Sequence, residues 1–504
     1  MEARRFPPQL FSMFYQSTRS DIKADSLRAV LDGLAPDGGL YVDADLARRP
    51  FDWAACLKLN EFDAAAQILG HLLPDFADMP GLVEAAYRGK FENNRIAPLV
   101  KCGDDYVLEL FHGPTCAFKD VALSMLPQLI CAARGALGVR ERLLILTATS
   151  GDTGKAALEG FCDVEGTSIA VFYPDGGVSD IQRAQMVTQR GGNVHVCAVR
   201  GNFDDCQRGV KQCFSALSGA ADAVRLSSAN SINIGRLAPQ VTYYFSAYAQ
   251  LLSAGEIALG DRVDFIVPTG NFGDILAGYF AKLMGLPVGR LVCASNANNV
   301  LYDFLSSGVY DARREFVKSS SPSMDILVSS NLERLLFCAA EGDCARVRAW
   351  MDELNATRRY AVDGDTLARI RESFSCGYAD EAATRAAIRR VYDETGYICD
   401  PHTAVAFSVL RGHKAGGEWH GNKCVVLSTA SPFKFPAAVL SALGADAQGD
   451  GYALLDALSA LSGLPIPASL ASLKALPVLH REVIARDMVM PHVDEIIHNG
   501  GIFI

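Results

Sequence analysis

The sequence predicts an α/β protein built on parallel sheets, and three observations carry that expectation. Short aliphatic runs recur, each leading into a loop of small residues and then a helix-like pattern: "RLLILTATSGDTGKAALEGF" (142–161), "VDFIVPTGNFGDILAGYFAKLMG" (263–285) and "KCVVLSTASPFKFPAAVLSAL" (423–443). The runs are continuous rather than alternating, as also in "TSIAVFYP" (167–174) and "GRLVCAS" (289–295); this is the pattern of strands covered on both faces. Helical segments separate them, as crossovers between parallel strands require. In such sheets ligands bind beyond the carboxyl ends of the strands, where these loops lie.

In chain order, residues 1–95 read as helices and turns, with "LAPDGGLYV" (34–42) a turn entering a strand. Residues 96–260 read as a smaller, lysine-bearing sheet domain and 261–504 as a larger one. Within the larger part, about 310–395 is charged and helical with little strand signal, a helical insertion. No repeat period or low-complexity linker interrupts the chain.

At 504 residues the chain has length for about three domains of roughly 150 residues. Half the residues are hydrophobic and 21% charged, the balance of a chain that folds throughout. A formal charge of -10 opposes binding to nucleic-acid backbones. The arginines of about 334–390 are interleaved with Glu and Asp, as on a solvated helical face.

Fourteen cysteines are scattered from Cys56 to Cys424 without a CxxC, and none pairs with the nine histidines at zinc-ligand spacing. Free thiols in a reducing compartment, and no metal, are expected. "MEARRFPPQLFSMFYQS" (1–17) has a charged start but no apolar segment of signal-peptide length. The Ala/Leu-rich stretch 453–479 is broken by Pro465, Pro467, Lys474 and Pro477, so it lacks the roughly 18 apolar residues of a membrane span. A cytoplasmic protein with no membrane partner is expected.

Four stretches are candidates for chemistry. "FHGPTCAFKD" (111–120) ends a small, apolar run on Lys119. Its ammonium either snorkels to water or is kept partly dry as a nucleophile, and these ten residues alone do not decide. "TSGDTGKAA" (149–157) is not a nucleotide P-loop, because Thr149 and Ala156 stand where Gly and Ser/Thr are needed. It is either an anion site with hydroxyls at Thr149, Ser150 and Thr153 or an ordinary strand-to-helix turn. "TGNFGD" (269–274) lacks the third glycine of a dinucleotide fingerprint but suits a phosphate wrapped by successive N–H groups. In "LSTASPFKF" (427–435), Ser428 or Thr429 offers a hydroxyl to a pyridine nitrogen, or caps a helix. Two anion-suited loops, an apolar-set lysine and a strand-end hydroxyl together match the demands of pyridoxal 5'-phosphate.

The order and wording of these stretches resemble threonine synthases of the bacterial and fungal type, pyridoxal-phosphate enzymes of the tryptophan synthase β-like fold (fold type II). The likeness runs nearly end to end through "STRSD" (17–21), "LAPDGGLYV", "FHGPTCAFKD", "TSGDTGKAA", "NSINIGRLAPQVTYYFSAY" (230–248), "PTGNFGDILAGYFAKLMGLP" (268–287), "SPSMDILVSSNLERLLF" (321–337) and "DPHTAVA" (400–406).

The resemblance implies that Lys119 is the cofactor-bearing and catalytic lysine. Gly270, Asn271, Phe272 and Gly273 would form the phosphate cup, with Asp274 opening the helix behind it, and Thr429 would face the ring nitrogen. Thr149, Ser150, Gly151, Asp152 and Thr153 would grip the amino-acid end of the substrate. Ser231, Asn233 and Arg236 would hold the substrate phosphate, an arginine fork suiting a dianion; alternatively that stretch is a helix start with surface polar residues. His112 and His402 are rim residues or hydrogen-bonded core histidines. Asp120 is expected to cap the helix after it, and Phe111, Pro114, Ala117 and Phe118 to form an apolar cradle.

The implied reaction takes O-phospho-L-homoserine and water to L-threonine and phosphate by γ-elimination and β-addition. The rival is a phospho-lyase giving a keto acid and ammonia. A monomer or homodimer is expected. One departure stands out: family members carry "TAHPAKF" where this chain has Ser431 and Phe433.

Overall fold

The computed structural model describes residues 14–217, 223–417, 419 and 421–500. Residues 1–13, on which most of the leader reading rests, lie outside the described residues.

Two large sheets organise the chain. The six-stranded sheet runs in the order Phe374–Tyr378, Val288–Ser295, Val263–Pro268, Lys423–Ser428, Asp105–Glu109, Leu99–Cys102. It is parallel except for the last pair, an antiparallel hairpin. The five-stranded sheet runs Glu482–Ala485, Val194–Arg200, Thr167–Pro174, Arg142–Ala148, Val224–Ser227 and is parallel throughout. Every residue of Thr167–Pro174 and Val263–Pro268 is buried, as their unbroken apolar runs require.

A division of the chain at residue 260 does not follow these sheets. Strands Leu99–Cys102 and Asp105–Glu109 pair into the later-built sheet, and Glu482–Ala485 returns to the earlier one. The stretch 310–395 is likewise not a purely helical insertion. Phe374–Tyr378 is an edge strand of the six-stranded sheet, and Val309–Asp311 pairs with Arg359–Ala361. Residues 1–95 match expectation where described: Tyr41–Asp43 enters a three-stranded antiparallel sheet beside four α-helices. In the quoted "STRSD", Arg19 pairs with Glu333 at 2.7 Å and Thr18 Oγ1 donates to Glu333 at 2.5 Å, docking this region onto helix Leu332–Ala339.

The central helix Lys119–Leu137 packs against helices Asp152–Phe161, Ile234–Ser253 and Ser26–Asp32. Its crossing with Asp152–Phe161 is close because of a glycine: a Cβ on Gly160 would lie 2.0 Å from the Leu123 carbonyl oxygen. The loops at 149–151, 269–272 and 429 follow the carboxyl ends of Arg142–Ala148, Val263–Pro268 and Lys423–Ser428. No described helix is long and apolar enough to cross a membrane.

Candidate active site

Lys119 opens its helix next to the end of strand Lys423–Ser428. Ala117 bridges Ala430, and the Phe118 N–H donates to the Thr429 carbonyl at 2.9 Å, so main chain fixes lysine and threonine side by side. Asp120 is not the cap. Phe118 holds that position without a side-chain bond, and Asp120, one residue inside the helix, accepts from Thr115 N at 2.9 Å and Thr115 Oγ1 at 2.6 Å. Burial pushes its carboxyl up to about 6.

Lys119 is 9% exposed, with Nζ 4.6 Å from the centroid of the Phe118 ring and donating to Ser323 Oγ at 3.3 Å. Burial brings its amine down to about 8, against the pull of the Asp152 carboxylate; the Lys434 and Arg236 cations add to the lowering. The dry reading of this lysine therefore holds.

A string of polar groups leads away from that amine. Ser323 Oγ donates to Asp152 Oδ2 at 3.3 Å. Asp152 Oδ1 meets Lys434 Nζ at 2.6 Å and accepts from Gln182 Nε2 at 2.9 Å. Lys434, fully buried, also donates to the Thr115 carbonyl at 2.9 Å. Burial opposes ionisation of Asp152, yet the ammonium groups of Lys434 and Lys119 hold its carboxyl well below the usual range. Behind Ser323, its N–H donates to His402 Nε2 at 3.1 Å, so the ring hydrogen sits on Nδ1, 2.5 Å from Asp400 Oδ2. His402 is thus a hydrogen-bonded core histidine that fixes a residue touching Lys119. His112, half-buried and bonded to Glu92 and Glu109 at 2.9 and 2.8 Å, is hydrogen-bonded nearer the surface and lacks that link.

The 270–274 loop opens helix Gly273–Leu283 through Phe272, whose φ of 64° turns the chain. Its outer side is tied down: Ser329 Oγ donates to the Gly270 carbonyl at 2.8 Å, and Asn331 N and Nδ2 donate to the Asn271 carbonyl at 3.0 and 3.1 Å. The N–H groups of Asn271, Phe272 and Gly273 have no acceptor among the described residues, as at an open helix N-terminus. Gly270 has to be glycine, since a Cβ there would sit 2.7 Å from the Ser323 carbonyl oxygen. Asp274, buried, is pushed up to about 6.

Arg236 is 4% exposed, and among the described residues no carboxylate pairs with it. One guanidinium nitrogen donates to the Ala229 carbonyl, while Nε is buried without a partner, as is Ser231 Oγ. Burial alone brings this guanidinium down to about 10. Asn233 stands apart from them. Its amide caps helix Ile234–Ser253 by accepting from Gly235 N at 2.8 Å and donates to the Val30 carbonyl at 2.8 Å, so both ends are committed within the protein. Asn233 does stand at a helix start, but as a buried cap and not as one of the surface polar residues that the alternative expected.

The 149–153 loop is mixed. Thr149 Oγ1 accepts from Gly151 N at 3.0 Å and Gly154 N at 2.9 Å, and Gly151 takes a φ of 140° with the Gln182 side chain against it. Thr149 and Asp152 are therefore engaged inside the protein. Ser150 and Thr153 are half-buried, and among the described residues nothing hydrogen-bonds their hydroxyls. The Thr429 hydroxyl is similarly untaken, at a residue 5% exposed. Of the two departures, Ser431 caps a short turn by accepting from Phe433 N at 3.3 Å, and Phe433 is buried in an apolar cluster with Cys116.

Ser323, Asn331, Ser329, Gln182 and Lys434 complete the site and had no role assigned from the sequence. Three of them lie in "SPSMDILVSSNLERLLF", within the supposed insertion, and Lys434 lies in the "KF" that follows Thr429.

These residues fit pyridoxal phosphate. A desolvated lysine, a helix N-terminus with spare donors and a strand-end hydroxyl converge, and two buried polar atoms lack any protein partner. Residues 94–430 match the family model for pyridoxal-phosphate dependent enzymes, and 403–483 that for the C-terminal part of threonine synthase. The chain is 41% identical over 436 residues to threonine synthase of Pseudomonas aeruginosa, covering 85% of this chain and 90% of that one. It is 37% identical over 501 residues to human threonine synthase-like 1, covering 94% of this chain but 66% of the relative's length. A crystal structure of pyridoxal-phosphate-bound threonine synthase from Brucella melitensis superposes with a TM-score of 0.84 at 39% identity, covering 97% and 99% of the two chains. Yeast threonine synthase gives 0.85 at 34%, also covering 97% and 99%. Sequence motifs, sheet order and site geometry agree with these likenesses, and the chain belongs to the threonine synthase family of pyridoxal-phosphate-dependent enzymes.

Proposed function

We propose that the protein converts O-phospho-L-homoserine and water to L-threonine and inorganic phosphate. The observation that supports this most is Arg236: a buried guanidinium without a carboxylate partner, with an unpartnered Nε and the unpartnered Ser231 Oγ in the same turn of chain. An arginine is rarely buried alone, and a phosphate dianion is the partner its planar fork suits.

Lys119 Nζ would hold the cofactor aldehyde, Asn271 to Gly273 its phosphate, and the Thr429 hydroxyl its ring nitrogen. When bound, pyridoxal phosphate supplies an electron sink for negative charge developing on the substrate carbons. Lys119 Nζ, with its pKa lowered toward neutrality, takes the α-proton. The ammonium so formed is stabilised through Ser323 by Asp152, which Lys434 keeps ionised. Arg236 and Ser231 hold the phosphate as the bond from oxygen to the γ-carbon breaks, and Ser150 and Thr153 hold the substrate carboxylate. A proton leaves the β-carbon as phosphate departs; a proton is then added at the γ-carbon, hydroxide from water at the β-carbon with the water's other proton going to phosphate, and Lys119 returns the proton to the α-carbon, which balances the reaction.

A second reading, in which phosphate is eliminated without water adding at the β-carbon, calls on the same lysine and the same phosphate grip. Incubation with O-phospho-L-homoserine separates the two. Threonine and phosphate in equal amounts are expected; 2-oxobutanoate and ammonia in place of threonine would contradict the synthase reading.

A further inference from the structure

We propose a structural zinc site on the five-stranded sheet, formed by His195, Cys197, Glu482 and His492. His195 and Cys197 are two residues apart on strand Val194–Arg200 and share one face of it. Glu482 lies beside Cys197 on the neighbouring parallel strand Glu482–Ala485. His492 comes from the last described helix, Val489–His498, which packs over this part of the sheet, its ring edge-on to Phe172.

Their ligand atoms converge. His195 Nε2 is 2.8 Å from His492 Nε2 and 3.2 Å from Glu482 Oε2, His492 Nδ1 is 3.5 Å from Glu482 Oε1, and one ligand atom from each of the four residues lies within 4.8 Å of the others. Hydrogen bonding serves this arrangement poorly. A hydrogen on His195 Nε2 faces two acceptors, His492 Nε2 and the Glu482 carboxylate, and can serve only one of them well. A cation placed among them satisfies all three at once.

Two imidazoles, a thiolate and a carboxylate favour zinc over magnesium or calcium. Tetrahedral zinc with bonds of about 2.0–2.3 Å needs donors roughly 3.3–3.7 Å apart, so the widest pairs close by side-chain rotation and the two imidazole nitrogens part slightly. Cys197 gives up its thiol proton to solvent as its sulfur binds. Four protein ligands close the coordination sphere, which makes the site structural rather than catalytic. It would fasten the chain from 482 to 498 onto the sheet that carries the 149–153 loop. Because the ligands lie at 195, 197, 482 and 492, no local spacing betrays them, which is why the sequence predicted no metal.

The test uses the full-length holoprotein, stripped with a chelator, reloaded with zinc and gel-filtered, beside His492→Gln and the double variant Cys197→Ser/His492→Gln. One zinc per chain is expected in the parent and none in the double variant. In His492→Gln, affinity is expected to fall by more than the roughly 10–100-fold seen when only a ligand's supporting hydrogen bond is removed. Zinc should raise the melting temperature of the parent alone, and cobalt in its place should give the intense visible bands of a tetrahedral thiolate site. Unchanged cofactor absorbance shows that the variants remain folded. A parent that retains no zinc, or variants that retain as much as the parent with the same melting shift, would overturn the proposal.

Discussion

At residues 149–154 the chain closes on itself: the Thr149 hydroxyl takes two loop amides, and the Asp152 carboxylate is filled by Lys434, Gln182 and Ser323. At 270–274 a loop of similar composition does the reverse. Its carbonyls are tied to Ser329 and Asn331 from outside, and the amides of Asn271 to Gly273 are left spare. Both are small-residue turns at the carboxyl end of a parallel strand, before a helix. Glycine marks where the backbone can bend or be approached closely; whether the loop binds an anion depends on whether its donors are already engaged. The first loop is mainly scaffold, carrying the charge that steadies Lys119, and the second is a cup.

The largest effect that would test this contrast is Asp152→Asn. It strands the Lys434 ammonium in the interior, and a loss of about 3–5 kcal/mol is expected in denaturant unfolding. A loss below about 1 kcal/mol would mean that the first loop is not held by its buried charge pair.

Next is a pH effect in the cofactor-free protein. Lys119 titrates near 10.5 when unfolded and about 8 when folded. Between those values the unfolded chain holds a proton that the folded one lacks, so stability contributed by this group rises with pH across the window. The total gain is about 3 kcal/mol, lost on return below pH 8. Lys119→Met should remove the rise; a parallel slope in both proteins would contradict the burial of the amine.

Gly151→Ala should cost about 1–3 kcal/mol, since its φ of 140° is left only under strain and Gln182 blocks the new methyl. Gly270→Ala should cost a similar amount, because its Cβ would meet the Ser323 carbonyl oxygen at 2.7 Å, and should in addition weaken cofactor retention, which Gly151→Ala should leave nearly unchanged. Cofactor retention lost in Gly151→Ala and kept in Gly270→Ala would reverse the assignment of the two loops. The smallest stability effect expected is a gain. Arg236→Met removes a buried, unpaired guanidinium, so the protein should become more stable by about 1–2 kcal/mol while threonine formation is lost and cofactor absorbance stays normal. Full activity there would remove Arg236 from the phosphate grip.

The strands that built the central fold were legible because burial on both faces leaves unbroken aliphatic runs, as at 142–148, 167–174 and 263–268. Those missed carry mixed sequences. Phe374–Tyr378 is an edge strand with Ser and Gly, and Glu482–Ala485 is only four residues, mostly exposed. Lys119 and Thr429 each end a recognisable run, but those runs left a snorkelling lysine and a helix cap open, and only the family resemblance paired the two in advance. Ser323 and Lys434 could not, because a serine hydroxyl bridging an amine and a carboxylate has no local pattern. The Asp152–Lys434 pair spans 282 positions in sequence. Asn233 was ambiguous for the opposite reason: an Asn one residue before a helix is as good a cap as a ligand, and only the position of Val30 shows its amide engaged within the protein.

The central claim is that Lys119, among several buried lysines, carries the cofactor. Borohydride reduction of the holoprotein followed by proteolysis and mass spectrometry reads this directly. The pyridoxyl mass should appear on the peptide containing Lys119; finding it on Lys434 or Lys155 instead would contradict the account.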